Sequence, residues 1–298
     1  MQSIIRIGSR ESRLAVKQAE IVKQAVERNC PDIKAEIVTM KTEGDKILDR
    51  RLELAGGKGL FVKELEKALL DGRIDICVHS LKDVPMEVPE DLPVVAFGER
   101  EDPRDVLIYK PGRTSIPEGG VIGTSSRRRE LQLKRLYPSC TFRSIRGNVQ
   151  TRLRKLSEEG FDGTVLAAAG LKRLHMEEAA GRVFSVDEII PAVGQGILAV
   201  QGRKGRDYSW LSSFACGKSR AEAEAEREFA AALGGGCTSP VAAHAQTQGA
   251  ELKLTGLYYC GGDIYRTRTR TGETGRARQL GAALAEEMRR EEEDGSVR

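Results

Sequence analysis

Short apolar runs of strand length alternate along this chain with stretches whose apolar residues recur at helical spacing. That rhythm limits what the chain can fold into more than any other feature. Ile4 to Ile7 reads as a strand, and Leu14, Ile21, Val22 and Ala25 fall on one helical face, with Pro31 just beyond that helix. Ala35 to Met40 is the next strand, and the polar, glycine-containing stretch Lys41 to Gly59 reads as a long loop. Leu60 to Leu70 is predicted as a helix with Phe61, Leu65, Ala68 and Leu69 inward. Ile74 to Val78 is a short buried strand that runs into His79-Ser80-Leu81-Lys82-Asp83. A β-α-β-α succession of this kind predicts an α/β fold with parallel sheets covered by helices on both faces.

A second cycle starts near Glu101-Asp102-Pro103-Arg104. Val106 to Tyr109, Val121-Ile122, Thr141 to Ile145 and Val165 to Ala168 are strand-like, with helices at Arg129 to Leu136 and Val149 to Glu159. Ile197 to Val200 reads as a strand returning to the first unit, which makes that unit discontinuous. The last unit opens on an Ala- and Glu-rich helix from Ala221 to Leu233, followed by Gly234-Gly235-Gly236-Cys237. A hairpin of Leu252 to Cys260 and Ile264 to Thr271 turns at Gly261-Gly262-Asp263, and a helix from Ala277 to Arg290 follows. A length of 298 residues accommodates two or three such units, each with its own core.

Charge excludes some partners. The 48 basic and 44 acidic side chains leave a formal net charge of +4, and aromatics are 5% of residues. Such a chain has little long-range pull on nucleic acid and no evident platform for stacking bases, so no nucleic-acid partner is expected. Six cysteines stand at 30, 77, 140, 216, 237 and 260 without a C-x-x-C pair, and the chain has three histidines. No metal site is expected from such a set. With no leader-like start and no apolar run of membrane-spanning length, a cytoplasmic protein with reduced thiols and no membrane partner is expected.

Four local features carry chemistry. The strand ending at Val78 delivers Lys82 and Asp83 to its C-terminal edge, where ligands bind in parallel α/β sheets. A solvated ion pair is the plainer reading of two such neighbours. Gly123-Thr124-Ser125-Ser126 runs into Arg127-Arg128-Arg129 between a strand and a helix. Backbone N–H groups at a helix start favour an anion, whereas three arginines there oppose the helix dipole and call for an external carboxylate or phosphate. The alternative is a basic helix face contacting nucleic acid or solvent. Arg143, Arg146, Arg152 and Arg154 surround Gly147-Asn148, a cluster that is also compatible with a charged helix face. Cys237 sits in a glycine-rich loop, which suits a nucleophile better than a core position, although no histidine is near it in sequence. Gly56-Gly57-Lys58-Gly59 lacks the spacing of a P-loop, and His79 is expected to order its loop rather than bind metal.

Together these stretches resemble the hydroxymethylbilane synthase (porphobilinogen deaminase) family. The resemblance is carried, in family order, by Ile7-Gly8-Ser9-Arg10, Gly56 to Phe61, His79 to Pro85, Glu101 to Asp105, Gly123 to Ser126, Arg146 to Val149, Ala169 to Arg173, Pro191 to Gly196 and Gly235-Gly236-Cys237. It implies two lobes built like those of periplasmic binding proteins, residues 1–99 with 194–216 and residues 100–193, plus a small C-terminal α/β domain, residues 217–298. It implies a transferase that joins four porphobilinogen molecules, with loss of ammonia, into a linear tetrapyrrole on a dipyrromethane cofactor. That cofactor is held by a thioether to Cys237. Asp83 is implied as the catalytic carboxylate. Ser80, Lys82, Asp83, Thr124, Ser126, Arg128, Arg129, Arg146 and Gly147 are implied at the cofactor. Arg10, Lys58, Ser126, Arg146, Arg152, Arg173 and Gln195 are implied at the substrate, with Lys58 in a lid loop. Arg127 departs from the family, which often has an apolar residue there, so which two of the three arginines serve the ligand stays open. A monomer that hands its product transiently to the next tetrapyrrole enzyme is expected. A non-catalytic anion receptor of the same two-lobe build is the competing reading, and Asp83 and Cys237, which a receptor does not need, discriminate against it.

Overall fold

The computed structural model describes residues 3–46, 59, 61–235 and 240–293. In chain order the regular elements are β1 (Ser3–Arg10), α1 (Arg13–Asn29), β2 (Ile33–Met40), α2 (Glu43–Lys46), α3 (Lys63–Leu70), β3 (Ile76–Ser80) and β4 (Val94–Phe97). They continue with β5 (Asp105–Tyr109), β6 (Val121–Gly123), α4 (Arg127–Leu136), β7 (Thr141–Arg143), α5 (Val149–Glu158), β8 (Gly163–Ala167), α6 (Ala168–Arg173), β9 (Arg182–Val183) and β10 (Leu198–Gly202). The remainder is α7 (Gly217–Ala232), β11 (Ala242–Gln248), β12 (Glu251–Gly261), β13 (Ile264–Glu273) and α8 (Ala277–Glu293). The chain divides into two compact units, residues 1–101 with 196–220 and residues 102–195 with 221–298.

The first unit is a sheet ordered β2-β1-β3-β10-β4. Alternation along β3 serves both of its faces. Ile76 and Val78 pack with Ala19, Val22 and Val26 of α1, while Cys77 packs with Leu65, Ala68 and Leu69 of α3. Ser12 starts α1 by accepting from the Ala15 N–H at 3.3 Å, and Cys30 closes it.

The second unit holds a sheet ordered β7-β6-β8-β5-β9 and a three-stranded antiparallel sheet, β11-β12-β13. Val106 and Ile108 of β5 face one cluster and Leu107 the other. Leu131 of α4 and Ile190 pack with Ala242, Leu257 and Tyr265 of the smaller sheet, so α4 is shared between the two sheets of this unit. The α/β class and the small C-terminal sheet-and-helix part are as expected from the sequence.

Several local expectations differ from the structure. The large sheets are mixed rather than parallel, because β10 runs antiparallel to both β3 and β4, and β5 antiparallel to β8 and β9. A strand that returns without a crossover helix is free of the constraint that keeps βαβ neighbours parallel. Pairing with β10 also carries β3 through His79 and Ser80, since Leu198 lies opposite Ser80. The strand is therefore Ile76–Ser80 rather than residues 74–78, and Ile74 is spent closing α3 by donating to Ala68 O. α3 starts at Lys63 rather than Leu60, because the chain turns on Gly59 at φ +79°, with Val62 and Lys63 donating to Gly59 O. Glu43–Lys46 is helical within a stretch read as loop, and β4, β9, β11 and α6 were not legible as separate elements. The Gly261-Gly262 turn of the β12–β13 hairpin takes positive φ at both glycines, as its sequence predicts.

Candidate active site and anion-binding cluster

In the first unit, β1 ends on Arg10 and β3 ends on Ser80, at the C-terminal edges of parallel neighbours. Leu81 to Asp83 then form one 3₁₀ turn, pinned by the Leu81 N–H to Ile197 O at 3.0 Å and the Val84 N–H to Leu81 O at 3.0 Å. Arg10, Ser12, Gln18, Phe61, His79, Ser80 and Asp83 line one pocket at this edge. Gln18 is buried on α1 and donates through Nε2 to Ser80 Oγ at 2.8 Å. The Arg10 guanidinium lies 4.3 Å over the Phe61 ring, a cation–π contact that restrains it. Phe61 is thus spent on Arg10 and the pocket, whereas the helical pattern had placed it in the core.

His79, which also lines this pocket, is buried. Its Nε2 is 3.1 Å from Gln201 Oε1 and 3.0 Å from Cys77 Sγ. The Gln201 amide donates to Leu92 O at 2.8 Å and Glu66 Oε1 at 3.0 Å, so its oxygen is the atom left to accept from the imidazole. The ring is therefore assigned as neutral with its proton on Nε2. Burial lowers its pKa to about 4, against the opposing Gln201 bond and Asp83 charge, while Arg10 lowers it further. An unfolded chain protonates this histidine near its ordinary 6.5, so the unfolded state gains the proton first as pH falls. Stability from this group is complete above that pH and is lost between 6.5 and about 4, by roughly 3 kcal/mol in total. Thermal melts of wild type and His79→Phe from pH 7 to 4 check this. The variant should lack that share of the acid destabilisation, and an unchanged pH slope would rule out His79 as its source.

In the second unit, Ser126 caps α4, accepting from the Arg129 N–H at 3.5 Å, and Thr124 Oγ1 accepts from the Ser126 N–H at 3.2 Å. The three arginines that follow part company. Arg127 turns to the tip of the β12–β13 hairpin, donating to Gly262 O at 2.6 Å and Asp263 Oδ1 at 2.9 Å, and to Glu130 at 2.9 Å. Lys134 joins it on Asp263 at 2.8 Å. With Asp263 more than half exposed, water screens this clasp and it adds little to stability. Arg128 and Arg129 turn inward and are nearly fully buried. Each donates from one terminal nitrogen to Asp105 at 2.8 Å and from the other to a backbone carbonyl, Ile190 O at 2.7 Å for Arg128 and Val165 O at 2.9 Å for Arg129. Burial pushes the Asp105 carboxyl up, and the charges of Arg128 and Arg129 with their hydrogen bonds outweigh it, holding it well below the ordinary carboxylate range. Asp105, Glu130 and Asp263 thus give these arginines acidic partners within the protein, which the sequence argument did not foresee.

Gln195 is also buried and donates to Pro103 O at 2.6 Å and Asp105 Oδ1 at 2.9 Å. Asn148 caps α5 by accepting from the Thr151 N–H at 2.9 Å, and Arg152 Nε donates to Gly147 O at 2.9 Å. Gly147 has φ +116°, and a Cβ there would sit 2.5 Å from Thr151, so only glycine fits. Arg146 is partly buried, which works against its charge and lowers its pKa. Arg173 is the last residue of α6.

The predicted residues therefore fall into groups within each unit. Arg10, Ser80 and Asp83 share the first-unit pocket, with Lys82 in the same turn. Arg128, Arg129 and Gln195 meet on one carboxylate of the second unit, and Gly147 and Arg152 meet at the start of α5. Lys58 and Cys237 lie outside the described residues. Gln18, Phe61 and Asp105 were missed as site residues. Asp105 carried a signal, an acidic residue opening an otherwise apolar strand, whereas Gln18 had none beyond its place on α1.

Among the described residues no group of three or more His, Cys, Asp or Glu is placed to hold a metal ion, and no helix is long and apolar enough to cross a membrane. Two family models match the chain. "Porphobilinogen deaminase, dipyromethane cofactor binding domain" matches residues 5–209, and "Porphobilinogen deaminase, C-terminal domain" matches residues 220–290. The porphobilinogen deaminase of Acetivibrio thermocellus is 53% identical over 285 residues, 95% of this chain and 97% of the relative. That of Alkaliphilus oremlandii is 50% identical over 290 residues, 97% of this chain and 98% of the relative. Among solved structures, the methionine-binding protein MetQ is a distant likeness, with 12% identity over 71% of this chain and 88% of that one and a TM-score of 0.45. Matches at this identity, running nearly end to end through both the Asp83 pocket and the Asp105 cluster, establish that the chain belongs to the porphobilinogen deaminase family.

Proposed function

We propose that this chain is a transferase that joins four porphobilinogen molecules, releasing ammonia at each addition, into the linear tetrapyrrole hydroxymethylbilane on a covalent dipyrromethane primer. The observation that carries this reading is family membership over nearly the whole chain, with Asp83 in a pocket beside Arg10 and Ser80. An anion receptor fits less well, because it requires no carboxylate in a pocket for acidic ligands.

The residues suit the cofactor. Each pyrrole ring bears an acetate and a propionate, and the matching donors are guanidiniums, hydroxyls and helix-start N–H groups. Arg129 Nε is buried without a hydrogen-bond partner among the described residues, a donor left over after Asp105 and Val165 are served. In this proposal Cys237 holds the primer as a thioether, and Ser80, Lys82, Asp83, Thr124, Ser126, Arg128, Arg129, Arg146 and Gly147 bind it. Arg10, Lys58, Ser126, Arg146, Arg152, Arg173 and Gln195 bind substrate, the arginines through its carboxylates. Arg127 is left out of both groups, because its hydrogen bonds go to the hairpin.

When bound, the primer supplies an electron-rich terminal ring whose free α-carbon forms the new bond. Asp83 performs the protein's part. As the carbon–nitrogen bond of the substrate's aminomethyl group breaks and ammonia leaves, positive charge spreads onto the pyrrole nitrogen, and a carboxylate there stabilises it. Once the carbon–carbon bond has formed, the α-proton departs to a base, a role open to the same carboxylate. Arg10, held over the Phe61 ring, presents its charge to a carboxylate of the substrate without a search through rotamers.

The domain limits in this reading are residues 1–99 with 194–216, 100–193 and 217–298, supported by the three separate sheets. The protein acts as a cytoplasmic monomer and passes its product transiently to the next enzyme of the tetrapyrrole route. The intact mass of the purified protein tests the central claim. An excess equal to a dipyrromethane is expected, and a mass equal to the bare chain, unchanged after incubation with porphobilinogen, would reject it.

A further inference from the structure

We infer that Asp105 is a positioning residue that, braced by Gln195, holds Arg128 and Arg129 in place to receive ligand carboxylates. The inference rests on the proposed cofactor role of the two arginines and adds a residue that this role does not itself require. Asp105 opens β5, an otherwise apolar strand, and is fully buried. A carboxylate at such a position is costly unless it is paired and hydrogen-bonded. Here three donors meet it. Oδ2 accepts from Arg128 at 2.8 Å, and Oδ1 accepts from Arg129 at 2.8 Å and Gln195 at 2.9 Å.

Two points separate this arrangement from an ordinary buried ion pair. The charge count is two guanidiniums to one carboxylate, so the cluster keeps a net positive charge that a neutral pair would not offer to an anion. The arginines are also immobile, because each spends its two terminal nitrogens on Asp105 and on a backbone carbonyl. Asp105 is itself anchored, with its backbone paired to Ala167 and its carbonyl accepting from the Phe184 N–H at 3.0 Å. Donors fixed before the ligand arrives avoid the ordering cost that flexible side chains incur on binding.

Asp105→Asn keeps the size of the residue and removes its charge. Wild type and variant are compared well below their melting temperatures, by intact mass and by steady-state kinetics with porphobilinogen. The variant is expected to show a much smaller primer-loaded fraction and a KM raised about tenfold or more, the effect of one charged hydrogen bond. Asp105→Glu retains the charge and is expected to recover loading in part. A lower melting temperature with loading and KM as in wild type would assign Asp105 to stability alone and overturn the inference. A wild type without added mass would instead sink the functional reading. Should Asp105→Asn not fold, nitrogen-15 spectra of the arginine side chains decide, compared between wild type and Cys237→Ala. The Arg128 and Arg129 Nε–H signals are expected to resist solvent exchange in both proteins. Rapid exchange in the primer-free variant would show that the ligand, not Asp105, orders the arginines.

Discussion

Asp83→Asn should yield a folded protein that carries its primer and scarcely turns over. The substitution keeps the shape of the side chain and deletes the charge. Asp83 stands in a single 3₁₀ turn whose hydrogen bonds, Leu81 to Ile197 and Val84 to Leu81, are made by backbone, so removing the charge leaves the turn intact. What is lost is the stabilisation of positive charge on the pyrrole as ammonia leaves. Deleting one preorganised partner of a developing charge costs about 10²- to 10³-fold in rate. Asp83→Glu returns the charge at a displaced position and should retain partial activity. The measurement is single-turnover ammonia release by primer-loaded protein. Near-normal release from Asp83→Asn would reduce Asp83 to a partner for neighbouring cations and remove it from the chemistry.

Cys237→Ala should purify without the dipyrromethane mass and without turnover. A thioether resists both hydrolysis and thiol exchange, so the primer persists through many cycles at a cysteine and has no equivalent attachment at alanine. Among the described cysteines, Cys77 is a poor substitute. Cys77 is fully buried, and burial together with Glu66 raises its pKa well above the ordinary thiol range, so little thiolate forms there. Peptide mapping of the wild type should find the added mass on the peptide containing Cys237. The same mass on a peptide holding Cys30, Cys77, Cys140, Cys216 or Cys260, or its persistence in Cys237→Ala, would refute the assignment.

Both predictions concern residues found from sequence motifs, and the way those motifs sit in the fold explains how far sequence reading reached. Asp83 was singled out because a buried strand running into Lys82-Asp83 places a polar pair at a sheet edge, and its catalytic reading came from the family resemblance of His79 to Pro85. Asp105 was not, because its role depends on partners 23 and 24 positions away in α4 and on Gln195, 90 positions away. Arg127 was legible as unusual but not as a clasp. Its partner, Asp263, is 136 positions distant, and nothing local marks the pair. Gln18 sits on an α1 face that reads simply as amphipathic, and its bond to Ser80 appears only when α1 lies on β3.

By itself the sequence determined what depends on neighbours along the chain. The apolar periods set the α/β succession and the start of α5, Gly261-Gly262 set the hairpin, and the ordered motifs set the family. Each of these is a matter of local sterics or of hydrogen bonds within one turn. Tertiary structure alone decided the direction of β10, the extension of β3 through Ser80, the neutral state of His79 and the sharing of Asp105 by two arginines and a glutamine. The physical reason is common to all four. Strand pairing, desolvation and the partnering of a buried charge depend on which distant groups share a low-dielectric interior, and separation along the chain does not encode that proximity.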